Sequence, residues 1–220
     1  MTAPGIFITG TDTGVGKTYI GAQLCRLLRN HGVPVQPRKP VESGCKPDKY
    51  GQLIPEDAVQ YFSACQQTVS LQQICPYTFA AVVAPDHAAS LAGKNLPLEK
   101  LVAACQVTSE QFLLVEGAGG FYSPIATDGL NADLAARLDL PVLLVAANRL
   151  GTINQVLLTV EAIHRNGLKL AAVILNNGTT LNVGENLNNT AGLVSRLDCP
   201  VLNSAKDSVL EESTLDFLGL

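Results

Sequence analysis

The run Gly5-Ile6-Phe7-Ile8-Thr9-Gly10-Thr11-Asp12-Thr13-Gly14-Val15-Gly16-Lys17-Thr18 decides how the rest of the chain is read. Apolar residues come first, then a glycine-rich turn, then Lys-Thr at the head of an amphipathic segment. A buried strand that turns sharply into a helix leaves a row of backbone N–H groups facing one concave spot. The helix N-terminus adds partial positive charge there, so the turn suits phosphate oxygens. Gly14 and Gly16 permit backbone angles and a close approach that a Cβ would block. Lys17 can reach outer phosphates, and the Thr18 hydroxyl can ligate Mg²⁺. The spacing departs from the strict G-x-x-x-x-G-K-[ST] pattern, because the glycine sits at Gly10 and Thr11 stands in its place. A structural turn with a surface lysine is the competing reading. Strand, turn and helix signals occur in order, and that favours a nucleotide-phosphate site.

Composition narrows the class further. A chain of 220 residues with 47% hydrophobic and 15% charged residues can bury a large core and is not a disordered tail. Its net charge of -4 argues against a nucleic-acid surface, which usually needs a basic face. No long apolar stretch suggests a membrane span, and no basic-then-apolar leader is visible, so the expected location is cytoplasmic. The six cysteines are scattered without a C-x-x-C pair, and are expected to be reduced, mostly buried and not a zinc site.

Apolar runs alternate with helix-length segments, the pattern of parallel strands joined by helical crossovers. Strands are expected at Gly5–Thr9, Val33–Lys39, Gln111–Glu116, Pro141–Ala146 and Lys169–Asn176. Pro34 and Pro37 mark the second as irregular or edge-like. Helices are expected at Lys17–Asn30, Leu98–Ser109, Asn154–Asn166 and Asn186–Leu197, with Asn176–Asn189 as a surface loop. The expected fold is α/β, a single domain over residues 1–220 of phosphate-loop type, with a mostly parallel central β-sheet flanked by helices. In such sheets ligands collect beyond the carboxyl ends of the strands. Four polar clusters fall there: Thr9–Thr18, Lys39–Gly44, Glu116–Gly120 and Asn176-Asn177.

Read alone, Lys39 in Arg38-Lys-Pro-Val-Glu-Ser-Gly44 is more simply a solvated lysine than a phosphate ligand. Glu116 ends a buried strand before Gly117-Ala118-Gly119-Gly120, like the acidic metal-site strand of phosphate-loop enzymes. Asp57, at the start of a helix, reads by itself as a cap or dipole-favoured acid. Asn176 and Asn177 could match a purine edge, though asparagine is also the common residue of turns.

Taken together, Gly10–Thr18, Lys39–Gly44, Pro76-Tyr-Thr-Phe79, Glu116–Gly120 and Leu150-Gly-Thr-Ile-Asn154 resemble the dethiobiotin synthetase family in kind and order. The displaced glycine is that family's own form of the loop. The resemblance implies a homodimeric, ATP-dependent enzyme that carboxylates 7,8-diaminononanoate with CO₂ and closes it to a cyclic urea. It implies an ATP site on Gly14, Val15, Gly16, Lys17, Thr18, Tyr19, Asp57, Glu116, Gly117, Ala118, Gly119, Asn176 and Asn177. Lys17 and Lys39 are implied as catalytic, and Thr18, Asp57 and Glu116 as Mg²⁺ ligands. Ser43 is implied to contact the substrate, and the Gly151–Asn154 turn to bind its carboxylate across a two-fold interface, through Gly151 and Asn154.

Three places depart from the family pattern: Gly14, where acidic residues are common; Asp86, between Pro85 and His87; and the late segment Pro200–Lys206. A partitioning-type ATPase switch is disfavoured by Thr11 and Asp12, where such switches carry an extra lysine. A cobyrinate-type synthetase would need a glutaminase domain, for which this chain is too short. A degenerate binding module would be expected to lose Lys17 or Glu116.

Overall fold

The computed structural model describes residues 4–66, 68–108, 110–178, 188–205 and 209–219. Six strands form the central sheet: β1 (Gly5–Gly10), β2 (Val35–Arg38), β3 (Phe112–Glu116), β4 (Val142–Ala147), β5 (Leu170–Asn176) and β6 (Val201–Ser204). Their spatial order is β2-β3-β1-β4-β5-β6, and every neighbouring pair is parallel. The sheet is therefore wholly parallel, where a mostly parallel one was expected.

Parallel strands need crossovers that cover both faces, so the inner strands read as unbroken apolar runs. All six residues of β4 are buried, as are all seven of β5. Successive side chains alternate between two core layers. Ile6 and Ile8 of β1 pack on one face with Ile20, Leu24 and Leu28 of helix α1 (Lys17–Asn30). Phe7 lies on the other face with Val156, Val160 and Ile163 of the helix Thr152–Arg165.

β2 lies at the sheet edge, which is why it accepts Pro37 opposite Leu114. The outward side of an edge strand needs no N–H donor. It spans Val35–Arg38, shorter than expected, and Lys39 leaves the sheet at its carboxyl end. The helix expected at Leu98–Ser109 ends at Ala104, with Ser109 outside the described residues. That expected at Asn154–Asn166 begins earlier, at Thr152, and ends at Arg165. The late helix is confined to Asn189–Val194, and most of the expected Asn176–Asn189 loop lies outside the described residues. Asn176 itself is the last residue of β5. β6 was not expected; it occupies part of the divergent Pro200–Lys206 segment, whose Lys206 is outside the described residues.

None of the cysteines is paired: Cys25, Cys45, Cys65, Cys75 and Cys105 are buried, and Cys199 is half-buried. Burial pushes the Cys45 thiol up to about 11 and that of Cys105 up to about 12. Thiolates are the reactive form, so in these two burial blocks both access and ionisation; Cys65, whose pKa a hydrogen bond from Cys25 lowers, is shut off by its full burial alone. One thiol, Cys199, is expected to react with an aromatic disulfide reagent in the folded protein, and all six in denaturant. A second fast-reacting thiol in the native state would contradict this packing.

Candidate active site

The order of the strands reverses direction at β1, whose neighbours β3 and β4 belong to the two halves of the sheet. A crevice opens at such a switch point, beyond the carboxyl ends of the strands. Here it is a cavity of about 460 Å³. The β1–α1 loop supplies one wall. Gly16 precedes α1 with φ 98°, and a Cβ there would lie 2.0 Å from Asn176 Nδ2. Glycine is needed on both counts, since L side chains avoid this angle and the amide leaves no room. Asn176 Nδ2 donates to the Val15 carbonyl at 3.0 Å, and its Oδ1 accepts from Gly178 N at 2.9 Å. The end of β5 thus braces the loop. Lys17 folds back to donate to the Asp12 carbonyl at 3.0 Å.

Opposite the loop, Lys39 donates to Glu116 Oε1 at 2.6 Å and the Gly117 carbonyl at 3.1 Å, and lies 3.0 Å from Asp57 Oδ2. Lys39 is thus a buried side chain, not the solvated surface lysine that its polar segment alone suggests. Burial alone would lower its pKa; the Glu116 and Asp57 carboxylates outweigh it and hold the ammonium above the usual lysine range. Lys17 goes the other way. Burial, with the repulsion of Lys39 behind it, lowers its pKa to about 8. Burial also opposes the charge of Asp57, but attraction to Lys39 wins and sets its pKa below the usual value.

Asp57 is presented by helix α2 (Glu56–Ala64), whose first turn carries two acids favoured by the helix dipole. Its start is capped from afar, with Glu42 accepting from Asp57 N at 3.0 Å and Ala58 N at 3.2 Å. Glu42 also lines the cavity, and burial raises its pKa to about 7. The Thr18 hydroxyl donates to Glu116 Oε1 at 2.9 Å. Asn131, fully buried, pins the turn after Glu116. Its Nδ2 donates to the carbonyls of Ala118, Gly120 and Ser123, and its Oδ1 accepts from Ala118 N.

Among residues expected in the site, Gly14, Gly16, Lys17, Thr18, Tyr19, Lys39, Ser43, Asp57, Glu116, Ala118 and Gly119 line this one cavity. Ser43 Oγ donates to the Val83 carbonyl at 2.6 Å, which fixes the rim of an adjoining cavity of about 380 Å³. Val82, Val83, Ala84 and Pro85 give that second space an apolar wall. Asn177 is placed differently, paired with Asn148 at 2.7 Å and the Ser204 carbonyl at 3.2 Å. Gly151 and Asn154 are exposed and do not line the phosphate-loop cavity. A larger cavity of about 570 Å³ lies against Leu157, His164 and Leu197 and shares none of these residues.

Sequence reasoning gave no role to Glu42, Tyr61 or Asn131. Tyr61 had a usable signal, since it follows Asp57 by four residues and so shares its helix face. Glu42 lay inside a quoted motif, and Asn131 had no signal at all.

Thr18, Asp57 and Glu116 offer hard oxygen donors of the kind Mg²⁺ takes. Among the described residues no group of three or more His, Cys, Asp or Glu could cage a metal. Mg²⁺ commonly takes one or two carboxylates together with substrate phosphates and water.

A family model described as an AAA domain matches residues 4–216. The solved cell division protein FtsY from Thermotoga maritima superposes with a TM-score of 0.50 at 13% identity, covering 98% of this chain and 68% of its own, a likeness of fold alone. The ATP-dependent dethiobiotin synthetase BioD of Vesicomyosocius okutanii is 44% identical over 172 residues, 78% of each chain. The protein of that name from Pseudomonas aeruginosa is 40% identical over 216 residues, 96% of this chain and 92% of its own. At that identity, sustained almost from end to end, the chain belongs to the dethiobiotin synthetase family.

Proposed function

We propose that this chain is an ATP-dependent dethiobiotin synthetase, closing 7,8-diaminononanoate with CO₂ to a cyclic urea and converting ATP to ADP and phosphate. The observation that carries the proposal is the meeting of Lys17, Lys39, Thr18, Asp57 and Glu116 in one cavity that continues into an apolar trough. In the proposed sequence one amine adds to CO₂ and loses a proton, giving a carbamate. A carbamate oxygen attacks the γ-phosphorus as the bond to ADP breaks. The second amine then attacks the carbamoyl carbon and expels phosphate.

The protein's part is positioning and charge. The loop N–H groups and Lys17 hold the phosphates from one side. Lys39 meets the carbamate and the transferring phosphoryl group from the other. Thr18, Asp57 and Glu116 would hold Mg²⁺, which supplies charge neutralisation on the phosphates when bound. The trough at Val82–Pro85 suits the aliphatic spacer of the substrate. The reaction needs neither nucleic acid nor membrane, and no described helix is long and apolar enough to cross one. We place it in the cytoplasm, where reducing conditions keep such thiols free, with residues 1–220 acting as one domain.

The test is ATP-dependent incorporation of labelled bicarbonate into a cyclic urea from diaminononanoate. Product is expected only with Mg²⁺ present. Folded, ATP-binding protein that incorporates no label would overturn the proposal.

The same proposal makes the working enzyme a homodimer with shared sites. Asn154 is exposed and outside the cavity on its own chain, beside the exposed apolar Leu150 and Leu158. A second copy related by a two-fold axis would bring that helix start to the far end of the trough, where its N–H groups suit a carboxylate. Asn154→Asp places a negative charge there with little change of shape. Mixing this variant with Lys39→Ala is expected to restore about half of a dimer's activity in the mixed species, since one of its two sites is then intact. Mixed dimers that form without recovery would exclude the shared site.

A further inference from the structure

Thr18 and Lys39 both bond one oxygen of Glu116, and the other is held by a side chain that belongs to no motif. We propose that Tyr61 is a positioning residue for this carboxylate. Its phenol keeps Oε1 turned toward Thr18 and the metal side, and Gly21 keeps open the space the phenol occupies. The inference rests on the metal-binding reading of Thr18, Asp57 and Glu116.

Tyr61 is fully buried, and its hydroxyl donates to Glu116 Oε2 at 2.7 Å. Oε1 accepts from Thr18 at 2.9 Å and Lys39 at 2.6 Å. Among the described residues the phenol is the donor to Oε2. A carboxylate bonded at one oxygen alone can rotate about its last torsion, whereas one bonded at both is fixed. Groups that hold a ligand's far oxygen set its orientation toward the metal. A phenylalanine would fill the same core space, so the hydroxyl is explained by its bond and not by packing.

Two helices contribute to this arrangement. Tyr61 follows Asp57 by one turn of α2, so a single helix face presents one candidate ligand and the brace for another. Gly21 follows Lys17 by one turn of α1. A Cβ at Gly21 would lie 1.9 Å from the Tyr61 oxygen, 2.9 Å from its Cζ and 3.0 Å from Ile8 Cδ1. Any larger residue there would push the phenol off Glu116. The absence of a side chain on α1 is thus part of how α2 reaches the carboxylate.

The test measures binding of Mn²⁺, a paramagnetic substitute for Mg²⁺, by electron spin resonance with a non-hydrolysable ATP analogue present. Tyr61→Phe is expected to weaken Mn²⁺ binding by about 10–100-fold while leaving metal-free binding of the analogue unchanged. Gly21→Ala is expected to act in the same direction. The double variant should bind Mn²⁺ no worse than Tyr61→Phe alone, because both changes remove one hydrogen bond. A packing role would instead lower the melting temperature and metal-free nucleotide binding together, with additive losses. Wild-type Mn²⁺ affinity in Tyr61→Phe would overturn the inference; should that variant not fold, the same result in Gly21→Ala would do so. If the wild-type protein itself takes up no Mn²⁺ with nucleotide, the metal-site reading falls and this inference falls with it.

Discussion

Lys39→Ala is expected to lower turnover on the order of a thousandfold, with a much smaller change in ATP affinity. The γ-phosphoryl oxygens and the carbamate carry negative charge during transfer, and Lys17 and Lys39 are the cations lining the cavity. Lys39 is buried and already held in place by Glu116 and Asp57, so its charge needs little reorganisation when the phosphoryl group moves. Burial lowers the pKa of Lys17 to about 8, with Lys39 the next cause, so the two ammonium groups already repel each other. A shared anion between them relieves that repulsion. Lys39→Ala also leaves Glu116, which is buried, without its cation. Breaking a buried pair in this way costs about 3–5 kcal/mol, so the variant is expected to melt earlier. Added Mg²⁺ is expected to narrow that gap, because a ligand that binds only the folded state stabilises it. Single-turnover measurements separate the two effects. Near-normal turnover in folded Lys39→Ala would remove Lys39 from the chemistry.

Glu116→Gln is expected to raise the Mg²⁺ concentration for half-maximal activity by at least about tenfold and to lower turnover even at saturating Mg²⁺. The change keeps the shape of the side chain but removes its charge and one acceptor. Glu116 now accepts from three donors, Thr18, Lys39 and Tyr61. A glutamine cannot accept at both ends. Its NH₂ must face either the Lys39 ammonium, which only donates, or the Tyr61 hydroxyl, which can turn to accept. The second orientation is the one expected, leaving a neutral oxygen toward Thr18 and Lys39. Lys39 would keep Asp57 as its one carboxylate partner, 3.0 Å away. A Mg²⁺ titration of activity, read beside the melting curve, decides the matter. An unchanged Mg²⁺ requirement would exclude Glu116 from the metal site.

Some of this was determined by the sequence alone. Gly10–Thr18 between an apolar strand and an amphipathic helix specifies a phosphate-binding turn, because backbone N–H groups and glycine angles are local properties. The unbroken apolar runs of β3, β4 and β5 specify a parallel sheet covered on both faces. Pro37 marked its strand as an edge. Periodicity located these elements but not their ends, which depend on packing: the Leu98 helix stops at Ala104 and the Asn154 helix begins at Thr152. It also missed β6, a strand with one buried residue in four, which therefore lacks a strong apolar pattern.

Only the tertiary structure decided that Lys39 is buried and paired, against the plain reading of a lysine in a polar loop. It alone gave Asn176 its bond to Val15, 161 residues away, and set Tyr61 against Glu116. Glu42 became the cap of a helix that starts 14 residues later for the same reason. Local sequence encodes backbone geometry and periodic burial, since both act over a few residues. Which charges meet is fixed by the strand order β2-β3-β1-β4, which brings the carboxyl ends of distant strands together and removes water from between them.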